Sequence, residues 1–278
     1  MRKLACLLLM GLAACNPQAD EQAGNAAADA AIEETPALAD ITGKWRIVSI
    51  DGEALPTAES EPYLAFSADA AGGSVGCNRF GGTTLYAEGR IAAHSWGGTV
   101  MGCSEPQATW ENAIAELFRA FPQVRLSGER LRLNSGDLEI ELSRADGTQP
   151  PVRSPDPMRI PMPGAVSQDV VGTKWIIRAM NNRTASSKSG DRHLQFDVDT
   201  WKGLASCATL FGAYQVVGNR LSVDEQISGT EQNCREDQAA LDDDFAELMR
   251  ADPHFLIGSN GELIIASKDH VLTGDRAR

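Results

Sequence analysis

The sequence predicts an α+β, mainly-β chain of two tandem small domains, each a curved antiparallel sheet or small barrel with one packed helix. Three observations predict it. A register of 130 positions relates Trp45 to Trp175, Phe66 to Phe196, Cys77 to Cys207 and Arg90 to Arg220. Each copy breaks into short apolar or alternating runs bounded by glycine, proline and acids, which is how strands read. Each copy also holds one stripe of apolar residues at helical spacing.

In the first copy strands are expected over 45–50, 62–67, 73–78, 83–86 and 90–95. A helix follows, because Trp110, Ile114, Leu117, Phe118 and Phe121 recur on one face. Ser104-Glu105-Pro106-Gln107 reads as its capping box, with proline where a first turn tolerates it. Strands over 123–126, 131–133 and 138–142 close the copy. One helix cannot cover both faces of so many strands, so the sheet is expected to curl, with the helix packed across an open side.

The second copy repeats this order. After a one-residue slip Thr99 matches Thr230, Cys103 matches Cys234, and the Ala-Glu-Leu-Phe-Arg-Ala run at 115–120 matches Ala-Glu-Leu-Met-Arg-Ala at 246–251. One more slip aligns Leu131 with Leu263. A register held this far is an internal duplication. It places domains at 41–144 and 169–273, with a short tail over 274–278. Between them, 145–168 carries six of the chain's thirteen prolines and reads as an extended linker.

Before the first domain the chain opens with Arg2 and Lys3, an apolar run, and Leu12-Ala13-Ala14-Cys15. Residues 1–14 thus read as an export signal, and a cysteine directly after small residues marks a bacterial lipoprotein, acylated (palmitate included) at Cys15. The run is shorter than the roughly 20 residues a membrane-spanning helix takes. Asn16 is not the aspartate that retains lipoproteins in the inner membrane, so the expected location is the outer membrane, lipid-anchored and facing the periplasm. The partner this implies is outer-membrane lipid, reached through acylated Cys15. Residues 15–40, rich in alanine and acids, read as a disordered tether.

Losing the leader removes two basic residues and no acidic ones from a net charge of −13, leaving −15. So acidic a chain excludes nucleic-acid binding by phosphate neutralisation. Four cysteines remain, Cys77, Cys103, Cys207 and Cys234. In an oxidising compartment they form a disulfide framework, and equal placing in both copies favours one bridge per domain.

Gly76-Cys77-Asn78-Arg79-Phe80-Gly81-Gly82 resembles the Gly-Cys-Asn-x-Phe-x-Gly signature of the META domain family (HslJ-like, after a heat-shock lipoprotein). Trp45 through Gly52 is similar to the family's opening strand, and Thr99-Val100-Met101-Gly102-Cys103 to its Thr-x-Met-x-Cys segment. In the second copy Asn78-Arg79-Phe80 becomes Ala208-Thr209-Leu210, so that copy resembles a degenerate member. The resemblance implies a mainly-β domain with one helix, often on envelope lipoproteins and linked to stress tolerance, and brings no catalytic residues.

The residues themselves leave two readings of the motif. Asn78 either bonds turn backbone while the Arg79 stem covers the sheet edge and its head meets an acid, or Asn78, Arg79 and Phe80 form a recognition spot for a carboxylate or phosphate. His94, His193, His254 and His270 show no familiar metal-ligand spacing, and Asp242-Asp243-Asp244 reads as a solvated helix face. No metal or cofactor is therefore expected. The function expected is a non-enzymatic envelope lipoprotein with a binding or structural role and an envelope protein as partner. A small-ligand carrier using a barrel pocket is the alternative, and an envelope hydrolase or thiol redox protein a further one.

Overall fold

The computed structural model describes residues 34–55, 61–145, 170–184, 192–230, 232–258 and 260–277. The first copy comprises α1 (Leu38–Ile41), β1 (Gly43–Ile50), β2 (Glu53–Ala54), β3 (Tyr63–Phe66), β4 (Ala70–Ser74), β5 (Arg79–Ala87), β6 (Arg90–Gly98), α2 (Gln107–Arg119), β7 (Gln123–Ser127), β8 (Arg130–Ser135) and β9 (Leu138–Arg144). The second comprises β10 (Thr173–Met180), β11 (Arg183–Thr184), β12 (His193–Phe196), β13 (Thr200–Leu204), β14 (Thr209–Val217), β15 (Arg220–Val223), β16 (Ser228–Gly229), α3 (Glu236–Arg250), β17 (His254–Ile257), β18 (Glu262–Ala266) and β19 (Val271–Arg276).

Each copy closes into an antiparallel barrel. In the first, β1 and β3 to β9 follow one another around the sheet, and β9 returns to pair with β1. In the second, β19 closes on β10 in the same way. The closing strands bend at equivalent bulges, between Ile47 and Ser49 and between Ile177 and Ala179. A bulge shifts the inward phase by one residue, which is why Trp45 and Ile47 are followed inward by Ile50. Where β4 meets β5, Gly72 lies opposite Gly81, and a Cβ on Gly81 would sit 2.8 Å from the Ala71 carbonyl oxygen. Only glycine permits strands so coiled to approach there.

The open side expected for the helix is a seam. β6 and β7 share only the Arg90–Gln123 pairing, and β15 and β17 only Arg220–His254. Each helix connects the strands flanking that seam and turns its apolar stripe inward. Trp110, Ile114, Leu117 and Phe118 join Trp45, Leu64, Leu131 and Leu142 in one core. Leu241, Phe245, Leu248 and Met249 do the same around Trp175 and Trp201.

Several boundaries move. The signal, Cys15 and nearly all of the linker fall outside the described residues. The end of the expected tether is built onto the first barrel: Glu34 pairs with Leu126 at the seam, and Tyr86 donates to the Pro36 carbonyl. The expected tail over 274–276 is the end of β19, where Arg276 lies over the Trp175 ring as Arg144 lies over Trp45. The strand expected over 73–78 ends at Ser74, because Gly76, with φ +99°, turns the chain at the motif. The expected capping box does not form either: Pro106 is the N-cap, without a side-chain bond.

The two barrels belong to one compact unit. Leu85, Ala92 and Phe121 of the first pack against Leu256, Ile264 and Val271 of the second. β18 consequently buries both its faces, whereas its counterpart β8 alternates between core and solvent.

Candidate functional site

The turn between β4 and β5 carries the motif, and its chemistry converges on Asn78. Cys77 is bridged to Cys103, 6.0 Å away between Cα atoms, so the turn and the segment before α2 are held together covalently. Cys207 and Cys234 make the equivalent bridge at 5.8 Å. Asn78 is buried beneath the first bridge. Its Oδ1 accepts from Thr99 Oγ1 at 2.9 Å and from the Met101 amide at 2.8 Å, while its Nδ2 donates to the Met101 carbonyl at 3.2 Å. An amide side chain offers a donor and an acceptor on one planar group, so it closes a two-way bridge to passing backbone.

Glu111, on α2, completes the arrangement. It accepts the Asn78 amide proton at 2.7 Å and Nδ2 at 2.9 Å, using both oxygens. No motif in the sequence marks Glu111, although a signal is present: Asp242 stands at the equivalent place in the second copy. Asp242 is buried and accepts from the Cys207 and Ala208 amides, at 3.1 and 2.8 Å. That corrects the solvated reading of the acidic run. Asp243 faces solvent as expected, and Asp244 accepts from Asn181.

The three expected recognition residues separate. Asn78 is committed to scaffold bonds. Phe80 packs on the core beside Trp96, at 6.0 Å between ring centroids, and Trp96 stacks on Phe118 at 4.0 Å. Arg79 is exposed, and among the described residues its guanidinium meets no acid. Beside it stands the segment that Asn78 holds: Arg79 and Thr99 exchange bonds, and next to Thr99, Val100 is 99% exposed and Met101 57% exposed. Cationic and apolar groups thus share one braced rim.

The histidines are scattered. His94 bridges to Asp275 of the second barrel at 2.9 Å, and His270 lies 3.1 Å from Glu247. His193 is on β12. His254 sits where partial burial, helped by Arg220, holds its pKa below the usual histidine value against the pull of Glu88. Cys77, Cys103 and Glu111, like Cys207, Cys234 and Asp242, bring potential ligand atoms within 4.8 Å of one another. Bridged sulfurs carry no thiolate, however, and both carboxylates already accept amide protons. Among the described residues no helix is long and apolar enough to cross a membrane.

The family model described as META domain matches residues 37–147 and 168–278, each span holding one barrel. The chain belongs to the META domain family. It carries two tandem META copies, the second without the motif's polar residues. Among solved structures it is similar to one described as an NMR structure of a protein, 23% identical, covering 39% of this chain and 94% of that chain, with a TM-score of 0.36. An NMR structure of a protein from Burkholderia xenovorans is 18% identical and covers 48% of this chain and 95% of that chain, also with a TM-score of 0.36. No curated protein matches the META chain.

Proposed function

We propose that this META protein is a non-enzymatic lipoprotein of the outer membrane, held by acylated Cys15 and facing the periplasm, whose first barrel binds an envelope protein. The observation that carries the reading is the rim of Arg79, Val100 and Met101. A disulfide and the Asn78 bonds hold apolar side chains in water there, beside a guanidinium with no acid to meet among the described residues. Exposed apolar groups on a braced loop gain from being covered, and a free planar donor fork selects a carboxylate on whatever covers them.

The chain's net charge of −13 supports a protein as partner over an anionic bilayer face. The carrier reading draws no support from the interiors, whose inward positions are filled by Trp45, Leu64, Leu133 and Ile140 in one barrel and Trp175, Leu194, Phe196 and Leu263 in the other. A role in stress tolerance rests on the family resemblance alone.

In-cell crosslinking followed by mass spectrometry, comparing wild type with Arg79→Ala and Val100→Asp, tests the binding reading. A discrete protein captured by wild type and lost from both variants is the expected result. Identical patterns from all three would remove the rim as a binding site. Fractionation of wild type against Cys15→Ala tests the anchor separately: the variant is expected to leave the outer-membrane fraction.

A further inference from the structure

The contact between the barrels joins two different faces. The first barrel contributes its β5–β6 face, through Leu85, Ala92 and Phe121, and the second its β17–β19 face, through Leu256, Ile264 and Val271. Such a head-to-tail contact does not close on itself, and two identical copies would offer it again at each end of the pair. The repeat register shows what stands at those ends. On the outer β14–β15 face of the second barrel the counterparts of Leu85, Ala92 and Phe121 are Gln215, Ser222 and Asp252. On the outer β7–β9 face of the first, the counterparts of Leu256, Ile264 and Val271 are Arg125, which donates to Thr35, Arg132 and Glu139. Gln215, Ser222, Arg132 and Glu139 are exposed, while the apolar residues they replace are buried.

We infer that these polar residues are stops: the barrel–barrel contact is a docking mode this chain could repeat with a second copy of itself, and the outer faces end the series at two barrels. The composition changes where the cover changes, and it does so on both faces at once. The polar rim of the contact follows the same rule. Glu262 and Asp275, which meet Thr83 and His94, have Arg130 and Ser143 as counterparts on the outer face. Thr83 and His94 have Ala213 and Asp224. A second copy approaching an open end would set Asp224 and Asp252 against a face whose apolar centre is gone, and water would keep both surfaces.

Sedimentation of the full chain tests this, with Cys15→Ser in every sample so that no acyl group contributes to association. One variant carries Gln215→Leu, Ser222→Ala and Asp252→Phe, restoring the first face. A second carries Arg125→Leu, Arg132→Ile and Glu139→Val, restoring the other, and a third combines both sets. Wild type and each single-face variant are expected to sediment as monomers. Mixing the two single-face variants is expected to give a one-to-one heterodimer and nothing heavier, and the combined chain a series of oligomers growing with concentration. Should the combined chain fail to fold, the mixture still decides, with a version of the first variant that leaves Asp252 in place as its check. A mixture that stays monomeric with every component folded, or a wild-type chain that itself forms head-to-tail oligomers, overturns the inference.

Discussion

Thr83 of the first barrel donates its hydroxyl proton to the carboxylate of Glu262 in the second, 2.9 Å away, with both side chains buried. The bond is half of a quartet. His94 lies directly across the sheet from Thr83, Asp275 directly across from Glu262, and His94 and Asp275 meet at 2.9 Å. Two acids side by side on one face repel, and donors relieve this: the opposite barrel supplies one to each, and Arg178 of the same barrel a further one to Asp275. Thr83→Val keeps the shape and removes the proton donor, leaving a buried oxygen unsatisfied. The expected loss is about 1–3 kcal/mol, read by urea unfolding, and Thr83→Val with Glu262→Leu should regain most of it. Unchanged stability in the single variant would show that the bond contributes nothing.

Acid should loosen the same contact. Partial burial raises the Asp275 pKa, but the hydrogen bonds and charges of His94 and Arg178 together hold it below its ordinary value. A carboxyl group whose pKa is depressed by folding stabilises the fold above the ordinary carboxylate range, and that contribution is lost as pH falls below about 4 and through the folded value. Asp275 is substantially exposed, so the effect is small. Urea midpoints measured down this range should fall less steeply for Asp275→Asn than for wild type. Parallel curves would assign the acid sensitivity elsewhere.

Asn78 is expected to matter for the loop more than for any ligand. Asn78→Ala strips Met101 and Thr99 of their acceptor and leaves Glu111 short of a donor. Roughly 2–3 kcal/mol should be lost, on the scale of about 1–3 kcal/mol for each buried group left unpaired. The segment around Val100 should become cleavable by protease before the barrel unfolds. Glu111→Ala should produce the same early cleavage. An uncleaved loop in both variants would mean that the disulfide alone holds the rim.

Much of this architecture was legible in the chain. Trp45 and Trp175 announced the repeat, the helix stripe announced which residues enter each core except Phe121, which lies beyond α2 and packs at the barrel contact, and the paired spacing of cysteines matched the bridges. Closure of the barrels was legible only as one of two alternatives beside an open curved sheet, because pairing β1 with β9 depends on tilt and bulges that no local pattern encodes. The strand misplaced over 73–78 shows a local limit: Val75 is buried and apolar, but Gly76 and the bridge turn the chain there. The barrel contact did leave a trace. Leu263-Ile264-Ile265-Ala266 is apolar throughout, where Leu131-Arg132-Leu133-Asn134 alternates, and a strand apolar on both sides needs cover on both. Arg79 is placed on the rim only by the fold, since sequence cannot say whether its head meets an acid.

The bridges should stabilise each barrel separately. Cys77→Ser opens a loop spanning 26 positions and Cys207→Ser one spanning 27. On the chain-entropy account each removal lowers stability by roughly 3–4 kcal/mol. Calorimetry of oxidised wild type and each variant checks this, and equal melting temperatures would contradict it.

The acidic run on α3 gives a final comparison within three residues. Asp242 is buried and takes the amide protons of Cys207 and Ala208, the role Glu111 plays in the first barrel with a longer side chain. Asp243, its neighbour, faces solvent. Asp242→Ala should therefore destabilise the second barrel by about 1–3 kcal/mol, because two turn amides lose their acceptor. Asp243→Ala should stay within about 0.5 kcal/mol of wild type, as surface changes do. Denaturant unfolding of the two variants side by side separates the positions. Equal losses would mean that the run acts through its summed charge at the helix surface, and that Asp242 does not hold the turn.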